Sequence, residues 1–98
     1  MKKATAQKAK TYRLPETTTP EMLEMRLMND RGSILTFGDH ILAAGDFYDP
    51  NGRCYYGATY RFTTEDHTCE GEIKLVSISE ETFLDNGHAI AWAMTKAN

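Results

Sequence analysis

Long apolar runs are missing from these 98 residues. Nothing approaches the ~18 consecutive apolar side chains that a bilayer-spanning helix needs, and no apolar segment of the signal-peptide kind opens the chain. The cytoplasm is therefore the expected compartment. Cysteine is scarce, with Cys54 and Cys69 alone, too few for the disulfide framework that staples small secreted domains. If the chain turns near Glu65–Asp66, Cys54 falls opposite Ser77 and not Cys69, so no disulfide is expected. Also missing are a phosphate-binding glycine loop, a strand-turn-helix serine elbow and paired cysteines at zinc spacing. No enzyme, cofactor or metal is expected from the motifs.

Acidic residues are absent from positions 1–13, where Lys2, Lys3, Lys8, Lys10 and Arg13 make a charge of +5. The other 85 residues hold six basic and fourteen acidic side chains, or −8, which leaves the chain at −3. The expected organisation is a basic N-terminal arm, 1–13, on one acidic domain, 14–98. Such an arm is a solvated leader, a strap on its own acidic body, or a phosphate contact whose binding would be weak and salt-dependent.

What the chain does have is a hairpin. Two runs rich in aromatic and aliphatic residues flank Asp49-Pro50-Asn51-Gly52 within 41–62. Asp can bond the turn backbone, Pro presets φ, and Gly accepts the left-handed conformation. Closure between Asp49 and Arg53 would place Tyr48, Asp46, Ala44, Leu42 and His40 opposite Cys54, Tyr56, Ala58, Tyr60 and Phe62 on a core face. Small residues bunch at mid-strand (Ala43, Ala44, Gly45, Gly57, Ala58). They mark a twist or bulge, or a place where another element comes close.

Segment 21–28 reads two ways. Thr19 as N-cap and Pro20 at the first helical position favour a helix over 19–29, whereas period two groups Leu23, Met25 and Leu27. Asn29-Asp30-Arg31-Gly32 resembles the hairpin turn, which tips the expectation to a strand followed by a hairpin into 33–37. Further expectations are a break at Gly38–Asp39, a strand over 70–78, a short helix starting at Ser79 and ending at Asn86–Gly87, and a last strand over 88–96, where the alanines would equally suit a helix. The sum is a mainly β domain, a small antiparallel meander or partly closed barrel with one short helix. The alternative is an α+β fold with the 19–29 helix packed on the sheet.

Three chemistries bear on this frame. Asp66-His67-Thr68-Cys69-Glu70 puts His and Cys two apart in a turn, but His40 and His88 lack ligand-like spacing and a closed zinc site needs four ligands. Asp46, beside Tyr56 on the apolar face, would be the one candidate for acid–base work. Aromatics Phe47, Tyr48, Tyr55, Tyr56 and Tyr60 suggest base stacking, with the arm's Lys2, Lys3, Lys8, Lys10 and Arg13 on phosphate and Tyr55 as the stacking ring. The body's −8 opposes that reading. It favours a non-enzymatic binding protein that modulates or inhibits a larger protein with a basic surface, in the manner of accessory, immunity or anti-defence proteins of mobile elements. The expected contact residues are Glu65, Asp66, Glu70 and Glu72 in one turn and Glu80, Glu81 and Asp85 in the next.

Overall fold

The computed structural model describes residues 12–28, 32–50 and 52–97. Its strands are β1 (Thr17–Thr18), β2 (Ser33–Phe37), β3 (His40–Asp49), β4 (Gly52–Phe62) and β5 (Ile73–Ile78); its helices are α1 (Pro20–Met28) and α2 (Asn86–Thr95). All neighbouring strands are antiparallel, in the order β1-β5-β4-β3-β2, and the sheet curls into a half-barrel. The mainly β meander expected from the sequence is thus the architecture found. Among the described residues no helix is long and apolar enough to cross a membrane.

The β3–β4 hairpin forms where the turn chemistry puts it, one residue tighter than expected. Asp49 pairs with Gly52, whose φ of +118° suits glycine alone. A one-residue slip exchanges the faces of one strand relative to the other. Cys54, Tyr56, Ala58, Tyr60 and Phe62 do share a core-facing side, but their companions on β3 are Phe47, Gly45, Ala43 and Ile41. Packing explains the choice. Tyr56 lies against Gly45, where any β-carbon would strike its ring, and Tyr12 stacks on Tyr56 at 4.0 Å and 4°. Tyr12, counted above with the arm, therefore packs into the body; residues 1–11 lie outside the described residues.

Helix α1 covers that face. Thr19 Oγ1 accepts from the Met22 amide at 3.2 Å and Pro20 opens the first turn, so the capping chemistry prevails over the period-two reading. Pro20 is buried at the helix start, and Leu23 and Leu27, one helical turn apart, are buried almost completely, whereas Met22, Met25 and Met28 stay exposed. This scatter of methionines is what hid the helix. The strand expected at 21–28 is overturned, and β2 pairs with β3 instead; the turn at 29–31 falls outside the described residues.

Helix α2 covers the other face and replaces the strand expected at 88–96. Asp85, in extended conformation, caps it through the His88 amide at 2.8 Å, so Asn86–Gly87 begins this helix and does not end an earlier one. The helix expected from Ser79 is also absent, because the Ser79 hydroxyl is engaged across the sheet. It accepts from the Gly57 amide at 3.0 Å and donates to Glu81 O at 2.8 Å, and Phe83 then bridges to Tyr55. Ala89 and Ala93 bury fully against the sheet, and Thr59 Oγ1 donates to Ala93 O at 2.7 Å. The mid-strand small residues thus admit a close helix, beside a bulge at Thr59/Tyr60.

Two stability predictions follow from this sandwich. A β-carbon at Gly57 would collide with Ala89 O and the Trp92 ring, so Gly57→Ala is expected to lose about 1–3 kcal/mol in urea unfolding through overpacking; unchanged stability would mean that α2 sits less closely. Burial pushes the Tyr60 hydroxyl, which donates to Pro15 O, above the ordinary tyrosine range, and burial raises Tyr12 as well. Groups raised in the folded state stabilise it fully below the ordinary value of ~10 and lose that contribution as pH climbs above it. Absorbance at 295 nm is expected to show these two tyrosines ionising only as the domain unfolds.

Candidate functional site

One end of the sheet gathers the turn between β2 and β3, the end of β4, the 63–72 connection to β5 and the start of α1. The connection is wired by its own side chains. Asp66 Oδ1 accepts from Thr68 N at 3.1 Å and from Thr68 Oγ1 at 2.6 Å, and Thr63 Oγ1 donates to Glu72 Oε1 at 2.6 Å. Thr63 N bonds Glu72 O, Gly71 N bonds Thr68 O, and Glu21 N bonds Cys69 O, each at 3.0 Å. The last of these docks the loop on the helix. His67 completes it by stacking on Phe62, centroids 4.5 Å apart at 17°.

Loop, helix and sheet enclose a half-open cleft of about 160 Å³. Its floor is Ile34, Ile41 and Phe62; one wall is Pro20, Glu21 and Glu24 of α1, the other His67, Thr68 and Cys69. A second cleft of about 190 Å³ continues between α1 and β2, sharing Glu24 and Ile34 and adding Leu27 and Met28. Glu21 and Glu24 stand three apart on the helix, hence neighbours on its surface. Among the described residues neither is held in an ion pair or a side-chain hydrogen bond. Nor does any group of three His, Cys, Asp or Glu among them converge to hold a metal ion. Cys54 is buried, Cys69 is exposed, and neither is in a disulfide.

The acidic residues singled out in the sequence are all exposed but fall into two groups. Glu65, Asp66, Glu70 and Glu72 surround this cleft's outer loop, whereas Glu80, Glu81 and Asp85 follow the far end of β5, ~20 Å away at the usual rise of a six-residue strand. Several have internal tasks. Asp66 holds Thr68, Glu72 holds Thr63, and Asp85 caps α2 and meets His88 Nδ1 at 2.9 Å. Glu65, Glu70, Glu80 and Glu81 remain uncommitted among the described residues.

The other end of the sheet carries the hairpin tip. Asp46 faces Tyr55, not Tyr56, because of the register, and lies on the α2 side. Its Oδ2 is 3.3 Å from Arg53 Nε, an ion-pair distance off the line of a hydrogen bond, and Arg53 Nη2 donates to the Tyr48 hydroxyl. The placement of Asp46 as a desolvated base beside Tyr56 is thereby overturned. The aromatics divide as well: Tyr56 and Tyr60 are core, Phe47 and Tyr55 half-buried, and Tyr48 is 69% exposed. Arg13 is exposed at φ +62°; Lys2, Lys3, Lys8 and Lys10 lie outside the described residues.

Sequence reasoning passed over Glu21, Glu24 and His67 as one site. The signal was present in Thr19-Pro20 with two acids following, the opening of a helix that carries Glu21 in its first turn and Glu24 three residues on, on the same side. The loop's wiring gives a test. Both bonds from Thr68 hold the Asp66 carboxyl below its ordinary value of 3.8, and a depressed carboxyl stabilises above that value and loses the contribution as pH falls through the folded one. Hydrogen-exchange protection at the Thr68 and Gly71 amides is expected to fade below pH ~4, ahead of the strands, and to be lost at neutral pH in Asp66→Ala.

Residues 14–97 match the family model described as nucleotide modification associated domain 4. No curated protein and no solved structure matches the chain.

Proposed function

We propose that this chain, which belongs to the nucleotide modification associated domain 4 family, is a small cytoplasmic accessory protein of a nucleotide-modification system, a non-enzymatic modulator that docks on a larger protein with a basic surface. The observation that carries the reading is the loop end of the sheet. There Glu65 and Glu70 project from a hydrogen-bonded loop with no partner among the described residues, next to Glu21 and Glu24, which are likewise unpaired among them. Fixed like charges without counter-ions are a standing repulsion within the domain. A basic partner relieves it, gains association rate from the field, and is selected by sign.

A second reading, contact with single-stranded nucleic acid, has the hairpin tip in its favour: Tyr48 is exposed and the Arg53 guanidinium lies 5.2 Å from its ring centre. Asp46 offsets that positive charge locally, and the acidic body repels phosphate. The protein-binding reading is therefore preferred.

Because the two acidic groups lie at opposite ends of β5, they are tested apart, sparing Asp66, Glu72 and Asp85, which hold structure. Capture from a nuclease-treated lysate of the source cell is expected to bring down a stoichiometric protein. Glu65→Lys with Glu70→Lys is expected to reduce its recovery at least ten-fold, with the circular dichroism spectrum unchanged, and Glu80→Lys with Glu81→Lys to leave it. Recovery of nucleic acid alone, lost steeply with salt, would favour the hairpin tip; equal recovery by all variants would rule out the acidic end.

A further inference from the structure

We infer that the 160 Å³ cleft between α1, the sheet and the 63–72 loop receives the guanidinium of an arginine presented by the partner. The inference rests on the protein-binding reading and names the chemistry of one contact within it. Size makes the first selection. Sites for free small molecules usually occupy ~300–1,000 Å³ and enclose most of the ligand, so a half-open cleft of this volume suits one side chain held in place by the surface that carries it, and not a nucleotide.

Its lining makes the second selection. Glu21 and Glu24 offer two carboxylates, unpaired among the described residues, whose β-carbons, three residues apart on a helix, are ~5–6 Å from one another. A planar, forked donor bridges such a pair, whereas an ammonium satisfies it only as a point charge. The apolar floor of Ile34, Ile41 and Phe62 takes the methylene stem that an arginine buries. His67, flat on Phe62, extends an aromatic wall against which a guanidinium plane can lie. A metal ion is the weaker occupant, since no three metal-binding side chains converge among the described residues.

The cleft has its own reporters, because the Glu21 amide is bonded to Cys69 O and the neighbouring Thr68 amide to Asp66. The full chain, labelled with nitrogen-15, is titrated with N-acetyl-arginine amide, N-acetyl-lysine amide and guanosine. Arginine is expected to shift the Glu21, Thr68 and Cys69 amides saturably with millimolar affinity, and lysine to do so at least five-fold more weakly. Glu21→Gln with Glu24→Gln is expected to weaken arginine at least ten-fold while the remaining spectrum keeps the wild-type pattern. Equal response to lysine, a stronger response to guanosine, or no saturable shift would each overturn the assignment. Glu65→Lys with Glu70→Lys separates this inference from the wider one. Arginine binding retained where no variant alters partner recovery would sink the docking reading alone, and arginine binding absent where recovery does fall would sink the cleft alone.

Discussion

The contact on which the rest of the molecule depends is the lie of Tyr56 across Gly45, with Tyr12 stacked upon it. It requires the hairpin to close between Asp49 and Gly52, and that register sends Ile41, Ala43 and Phe47 to the α1 side and Leu42, Ala44 and Asp46 to the α2 side. Everything above and below the sheet follows. Leu23 and Leu27 meet an apolar bed, and Ala89 and Ala93 meet the flat ground of Ala44 and Gly57. A slip by one residue would set Asp46 into the apolar layer and lift Ile41 out of it, a change that desolvation and lost burial both oppose.

Burying both faces of a five-stranded sheet in a chain of this size leaves its chemistry at the ends. At the hairpin end, Arg53 is ion-paired with Asp46 and donates to the Tyr48 hydroxyl, so positive and negative charge balance there. At the loop end the balance is different. Threonine hydroxyls and backbone groups of 63–72 are bonded within the loop and to the Glu21 amide, and the carboxylates of Glu65, Glu70, Glu21 and Glu24 have no counterpart among the described residues. Internal hydrogen bonds thus make the loop a fixed presentation of charge, and fixed charge gives more selectivity than the same charge on a mobile segment, whose ordering would have to be offset on binding.

An accessory role is consistent with this division of labour. At the loop end the described surface carries a half-open cleft with acidic and aromatic walls.

How far the chain could be read in advance differs by element. The hairpin at 49–52, the break at Gly38–Asp39 and the strands β2 and β5 were legible because turn residues act through their own backbone, which no distant contact needs to supply. Helix α1 was half legible: its cap was written in Thr19-Pro20, but the exposed methionines disguised which side would be buried. The ending was misread. Ser79 has a helix-capping side chain and spends it on Gly57, while Asp85 takes the capping task six residues later. What the sequence determined by itself was local: where the chain turns, where charge gathers and which residues are small enough to be approached. Register, the faces of Asp46 and Tyr56, and the meeting of Glu21, Glu24 and His67 around one cleft were decided by tertiary packing, because each depends on contacts between segments whose spacing along the chain encodes nothing about their distance in space.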